Sequence, residues 1–552
     1  MTHFRGLTTV FAALFALSGQ TFASRIDSTH TLQRNRDLED ESTANWPSLR
    51  FHFKLKRSSM NVYGESDFDM YANPVVSDNQ DSVLYDAVAT FSDESTQINY
   101  TLIDGTARMA IRSSDEDTTV TCLDTESDKL PPINTITNAL NEATALSSAS
   151  GSGSGAVQCP HGSLFKVLVN GIHFALCASG TSGFTMTGTD VDIVVDYLDY
   201  RVEIKKMTSA TMECETVASA SPLTALGKSL LTGKSTIADV ERNLKSEFDF
   251  TFWDDGDGSS KHSSSSHDGS CSCKSTKRPC LFVHGMGVDR EEPDIVDSFS
   301  YYWGNLTDHA PCCLSMKYTV LNTVDNAWTN DTLQQQVCDR AVSVSKSSSK
   351  TVIADTIIIT HSMGNLMVGG AIATGKCKLD SSSTWVGLAG PMQGSMASDF
   401  VQKTCAGETN FVLEKVANIT GRCPPTVALQ SLPSQDGNYS SSELNAAYTA
   451  AQKAYTSNVT ALMCSAGYSG LVSKYQAEFW MLGEAVPYKS HKNDGMVEFE
   501  SCAAGFPESK FGDTWRSPFY KTKLNHYDSE FLYGDALLDE EKMPIKWFEC
   551  LL

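Results

Sequence analysis

Basic residues are scarce in this chain: 43 Lys and Arg stand against 66 Asp and Glu, a formal charge of −23. That balance excludes nucleic-acid binding, which is driven by neutralising phosphates. It also excludes electrostatic docking on an anionic membrane. Beyond the N-terminus the sequence lacks any apolar run near the ~18–20 residues that a membrane-crossing helix needs. Its last residues, Trp547-Phe548-Glu549-Cys550-Leu551-Leu552, carry no long apolar tail for a glycolipid anchor, and Cys550 lies one place too late for prenylation. Zinc-ribbon spacing is missing from Cys271-Ser272-Cys273 and from the adjacent Cys312-Cys313. No internal repeat is present.

What is there is a chain of 552 residues, 41% apolar, enough for cores in two or three domains. Arg5, the run Val10 to Leu17 and the small residues of Thr21-Phe22-Ala23 read as a secretory signal over residues 1–23. In the oxidising compartment this implies, the 16 Cys are expected to pair as disulfides. Six sequons, at Asn99, Asn305, Asn330, Asn418, Asn438 and Asn458, fit a secreted, glycosylated surface.

The polar stretch 24–49 reads as a flexible leader. Residues 50–231 read as a β-rich domain: an antiparallel sheet with one helix. Its clearest element is Leu164 to Val169, then Asn170-Gly171, then Ile172 to Cys177. Asn-Gly between apolar runs predicts a hairpin, because both turn residues need positive φ. That register sets Val169 opposite Ile172, Val167 opposite Phe174 and Phe165 opposite Leu176. The apolar face so made needs a cover, and Ile133, Ile136, Leu140 and Ala143 recur at helical spacing after Pro131-Pro132. Ser147 to Gly155 reads as a flexible loop, and Val191 to Ile204 as one or two further strands. Residues 232–277, with a Gly/Ser/His-rich stretch, read as a linker. Beyond it strands alternate with helices, which predicts a mostly parallel sheet with helices on both faces over residues 278–552. The cysteines split four and twelve across the linker stretch, so closure within each half is expected.

The chemistry concentrates around Ser362. Ile357-Ile358-Ile359 marks a buried strand, Ser362 follows it, and Gly364 supplies the small residue that a strand–turn–helix nucleophile elbow requires. Thr360 stands where a second small residue is usual. Upstream, the strand ending at Val283 runs into His284-Gly285-Met286-Gly287. The segment resembles the loop that in α/β-hydrolases brings a backbone N–H to a carbonyl oxygen under attack, which would make Met286 and Met363 the two donors; an ordinary Gly-rich turn is the competing reading. Downstream lie Asn493-Asp494-Gly495-Met496-Val497 and Asn525-His526-Tyr527-Asp528. A serine needs a base, and the base an orienting carboxylate. His526 and Asp494 are the candidates, with His491 the rival base and a plain turn the competing reading of Asp494-Gly495.

These four motifs resemble the lipase branch of the α/β-hydrolase superfamily, close in style to secreted bacterial triacylglycerol lipases; the inositol-deacylase-like family shares the His-Ser-Met-Gly elbow. The resemblance covers about 278–552. It implies an α/β-hydrolase domain with Ser362 as nucleophile, Asp494 as acid, His526 as base and no organic cofactor. It also implies a structural calcium site at Asp528, against which stands a capping role for that carboxylate. The expected substrate is a lipid or small ester, with phospholipid and glycolipid-anchor acyl esters as alternatives, and a non-catalytic lipid- or surface-binding protein as the contrasting class. Residues of about 405–480, with Cys405, Cys423, Cys464 and three sequons, read as a cap, or else as a disulfide-stapled excursion. Within them Ser440 and Glu443 suggest a capping box before a helical face of Leu444, Tyr448, Ala451 and Tyr455. Any interfacial lipid contact would rest on apolar surface near that cap.

Overall fold

The computed structural model describes residues 46–552 apart from 94–95, 114–117, 124, 127–129, 147, 151–156, 158, 161, 179–181, 208–213, 235–248, 252–270, 409–422, 472 and 474. The signal, most of the leader, the His-rich stretch of the linker and Asn418 lie outside the described residues. Two sheets organise the rest.

The first is antiparallel. Its strands are β1 (Ser48–Leu55), β2 (Asp67–Val76), β3 (Ser82–Asp93), β4 (Thr96–Ile103), β5 (Thr106–Ser113) and β6 (Thr119–Cys122), then β7 (Thr144–Leu146), β8 (Ser163–Val169), β9 (Ile172–Ala178), β10 (Gly183–Gly188) and β11 (Val191–Leu198). They run in the order β6-β5-β4-β3-β2-β1-β11-β10-β9-β8-β7, with Ser221–Pro222 pairing onto β3. The Asn170-Gly171 hairpin has the expected register, Val169 opposite Ile172 and Phe165 opposite Leu176. Alternation puts Phe51, Phe53, Val167, Phe174, Leu176 and Ile193 on one buried face.

Two helices, not one, join that core: α1 (Ile133–Ala139) and α2 (Ala225–Thr232). The second is capped by Thr224, which accepts from the Gly227 N–H, and stops at left-handed Gly233. Of the one or two strands expected in Val191–Ile204, one forms, β11. Two further readings need correction. The leader gives way earlier than residue 50, since Trp46 is buried and β1 begins at Ser48. Ser148–Ser150, inside the expected loop, pairs with Asp249–Thr251 of the expected linker.

The second sheet is wholly parallel: β12 (Arg278–Val283), β13 (Cys313–Tyr318), β14 (Ile357–His361), β15 (Thr384–Leu388), β16 (Val459–Ser465) and β17 (Phe519–Thr522), in the order β13-β12-β14-β15-β16-β17. Chain order reverses between β12 and β14, and the crevice at the carboxyl ends of such strands is where open α/β sheets bind ligands. The helices of this half include α3 (Ser300–Trp303), α4 (Asp331–Ser343), α5 (Met363–Ala373), α6 (Met396–Cys405), α7 (Ser442–Asn458), α8 (Gln476–Ala485), α9 (Phe499–Ala503) and α10 (Pro544–Cys550).

The expected cap at 405–480 is largely body. β16 is an interior strand of the sheet, and Tyr448, Ala451 and Tyr455 of α7 are buried in one core with Leu366 and Met367 of α5. The N-cap of α7 is Ser441, accepting from Leu444, one place after the expected box.

The two halves share an interface of buried polar groups. Lys546 pairs with Asp190, Arg57 with Glu549 at 2.7 Å, and Ser59 with Asp535 at 2.8 Å. Leu537, Leu538 and Met543, from near the C-terminus, pack into the core of the antiparallel sheet. Eight disulfides use all 16 Cys: 122–214 and 159–177 in the first half, then 271–550, 273–312, 280–313, 338–377, 405–423 and 464–502. None crosses between the sheets' own halves. Among the described residues no helix is long and apolar enough to cross a membrane.

Candidate active site

Ser362 sits between β14 and α5 with φ 52° and ψ −129°. A non-glycine residue pays strain in that left-handed region, and such strain gathers at functional turns. Gly364 explains how the turn closes: a Cβ there would lie 2.6 Å from the Val283 carbonyl and 2.7 Å from that of His284. Gly369 and Gly370 serve other contacts, facing Ala451 of α7 and Gln334 of α4. Thr360 is accommodated because its hydroxyl is held, accepting from the Trp385 indole N–H at 2.8 Å and donating to Asn365 Oδ1 at 2.5 Å. Asn365 is a residue that sequence reasoning missed. Its Nδ2 donates to the carbonyls of Thr360, Ser362 and Leu388 at 3.0–3.3 Å, which ties strand, elbow and neighbouring strand together.

His526 Nε2 lies 2.9 Å from Ser362 Oγ, and its Nδ1 lies 2.7 Å from Asp494 Oδ2. The other oxygen of Asp494 accepts from the N–H groups of Met496 at 2.8 Å and Val497 at 2.6 Å. Gly495, at φ 87°, makes that tight turn, and the backbone of His526 is bonded to that of Asp494. All three side chains are largely buried, with Ser362 at 8%, His526 at 3% and Asp494 at 1% exposed. His491, the rival base, is exposed.

Gly285 packs against the nucleophile so closely that a Cβ there would meet Ser362 Cβ at 2.5 Å. The loop bearing Met286 is braced by Thr323, whose hydroxyl donates to the Gly285 carbonyl at 2.8 Å and accepts from Val288. His284 is fixed as well. Its Nδ1 meets the Gly285 carbonyl at 2.8 Å and its Nε2 accepts from the Leu321 N–H at 3.0 Å. Burial pushes its imidazole down to about 4, so it is neutral and structural. Met363 opens α5 beside Ser362.

One oxygen of Asp528 accepts the N–H groups of Leu471 at 2.7 Å and Asn525 at 3.1 Å, which is the capping role set against a calcium site. Among the described residues no group of three or more His, Cys, Asp or Glu is placed to hold a metal.

No protein-family model matches this sequence, and no curated protein does. Solved structures give slight likenesses. The lipase of Staphylococcus hyicus is 15% identical over 50% of this chain and 94% of its own, with a TM-score of 0.28. Lipase 1 of Pelosinus fermentans is 12% identical over 50% of this chain and 97% of its own, at 0.27. Haloalkane dehalogenase DbeA of Bradyrhizobium elkani is 13% identical over 38% of this chain and 80% of its own, at 0.21.

Beside the Asp494 turn, burial raises the Glu498 carboxyl to about 7, with the Asp494 charge acting in the same direction. A carboxyl raised on folding stabilises fully below its unfolded pKa, near 4.5, and that contribution is lost as pH climbs through about 7. Glu498→Gln is therefore expected to remove about 2–3 kcal/mol of the stability lost between pH 5 and pH 8. Thermal unfolding of both forms at the two pH values measures this. An unchanged difference would show that Glu498 is not the group responsible.

Proposed function

We propose that this protein is a secreted α/β-hydrolase that cleaves a carboxylic ester of a lipid or small molecule through an acyl-enzyme on Ser362. The observation that carries this reading is the continuous line from Ser362 Oγ through His526 to Asp494, two contacts of 2.9 and 2.7 Å. His526 Nε2 takes the Ser362 proton as Oγ attacks the ester carbon, and returns it to the leaving alcohol. A water activated by the same nitrogen then releases the acid. Asp494 keeps the Nδ1–H tautomer and stabilises the imidazolium. The N–H groups of Met286 and Met363 receive the oxyanion, and a preorganised donor of this kind contributes about 10²–10³ in rate.

Aromatic packing beside His526 and an exposed tryptophan on α8 favour a lipid or apolar ester. Phe479 of α8 packs on Tyr527 with ring centroids 4.7 Å apart, Tyr475 packs on Tyr527 at 5.1 Å, and Trp480 on the same helix is exposed. Eight disulfides, together with the reading of residues 1–23 as a signal, support secretion. The antiparallel half reads as a separate β-rich domain, and the parallel half as the catalytic one. Hydrolysis of p-nitrophenyl esters from C2 to C16 tests the substrate class. Activity is expected to rise with chain length. A peak at C2–C4 makes the enzyme a soluble-ester hydrolase, and no turnover of any ester removes the reading.

A further inference from the structure

Three buried side chains beside the triad have no part in the proposed chemistry: Tyr302, His361 and Glu530. Their hydrogen bonds have only one consistent direction. The His526 carbonyl accepts and cannot donate, so His361 Nε2, 3.1 Å away, carries a proton. Burial pushes the His361 imidazole well down, which keeps it neutral and leaves Nδ1 as an acceptor. The Tyr302 hydroxyl, 2.6 Å from that Nδ1, must then donate to it. The Tyr302 oxygen in turn accepts the Gly285 N–H at 2.8 Å. The Glu530 carboxyl lies 3.6 Å from His361 Nδ1. Burial pushes Glu530 well above the usual carboxylate range, and Asp528 pushes the same way.

Both ends of this chain matter for geometry. Gly285 precedes Met286, the proposed oxyanion donor, and packs on Ser362 itself. The other end holds the backbone of His526, whose ring lies 4.8 Å from that of His361, tilted by 49°.

We propose that Tyr302 and His361 form a positioning relay that locks the oxyanion loop and the base loop into one register. It runs from the Gly285 N–H to the Tyr302 hydroxyl, on to His361 Nδ1, and from His361 Nε2 to the His526 carbonyl. The inference rests on the reading of Ser362 and His526 as nucleophile and base. Both are positioning residues and touch no reacting atom.

Kinetics and spectroscopy separate the two ideas. With p-nitrophenyl butyrate, Tyr302→Phe is expected to lower kcat about 10- to 100-fold with KM within threefold, because remote misplacement of a catalytic group costs rate. Unchanged kcat in folded Tyr302→Phe would overturn the relay. The ¹⁵N resonances of His361 give a readout independent of turnover. They should report the neutral Nε2–H tautomer in the parent and lose the Nδ1 hydrogen-bond shift in Tyr302→Phe. A charged or Nδ1–H His361 overturns the relay whatever the protein hydrolyses. Correct tautomers with no esterase activity would instead leave the relay standing and remove the ester-hydrolase reading.

Discussion

Ser362→Ala is expected to lower kcat for activated esters by about 10⁴–10⁶-fold, a barrier increase of about 5–8 kcal/mol. The magnitude follows from the loss of covalent catalysis, which leaves only the oxyanion donors and binding. His526→Ala should fall nearly as far, since an unassisted serine hydroxyl is a poor nucleophile. Asp494→Asn should cost about 10⁴-fold, because the amide permits the wrong tautomer at His526. These losses should not sum, because the three groups act as one unit. His491→Ala should retain full activity, as that ring is exposed. Stability separates loss of chemistry from loss of fold. Ala at position 362 keeps a Cβ at φ 52°, so the strain is unchanged, whereas Ser362→Gly should raise stability by about 1 kcal/mol while being equally inactive. Activity surviving in Ser362→Ala would move the nucleophile elsewhere.

The elements legible in the sequence were those whose signal is local. Asn170-Gly171 sets its own hairpin register through the turn, so every pairing from Val169 outward followed. Ile357 to Ile359 announced a strand buried on both faces. The line of Ser362, Asp494 and His526 was suggested by motif resemblance and residue order, and their side chains meet in space. What escaped was set by long-range packing. Asn365 looks like any polar residue in a helix's first turn, and its three carbonyl partners come from separate segments. Tyr302 and His361 are 59 positions apart in chain numbering and meet only in the fold. The stretch 405–480 misled for a different reason. Its sequons and cysteines signal exposure, but Val459 to Ser465 is a short apolar run that only the neighbouring strands identify as interior sheet. The Leu444, Tyr448, Ala451 and Tyr455 face was correctly helical, and its cover was α5 and not a lid over the site.

Replacing both members of the Cys271–Cys550 bridge by Ser should cost about 4–5 kcal/mol, larger than for any other pair. The bridge closes the longest segment, 279 residues, so its removal returns the most chain entropy to the unfolded state. A second effect adds to this. Glu549, next to Cys550, is 2% exposed and is held by three donors: the Cys271 N–H at 2.8 Å, Arg57 at 2.7 Å and His309 at 3.1 Å. Burial alone would raise its carboxyl; the His309 hydrogen bond and the Arg57 charge outweigh that and lower it. A carboxyl lowered on folding stabilises above its unfolded pKa, and that contribution is lost as pH falls through the folded value. Arg57 comes from the antiparallel half, so one buried carboxylate joins both halves and the bridge anchors it. Arg57→Met alone should cost about 3–5 kcal/mol, because it strands a buried charge. Since both changes act through Glu549, the triple variant should lose at least 1 kcal/mol less than the two losses added. Urea unfolding at pH 7 of the four forms closes the cycle. Strict additivity would mean that bridge and ion pair stabilise independently, and the anchoring role of Cys271 would fall.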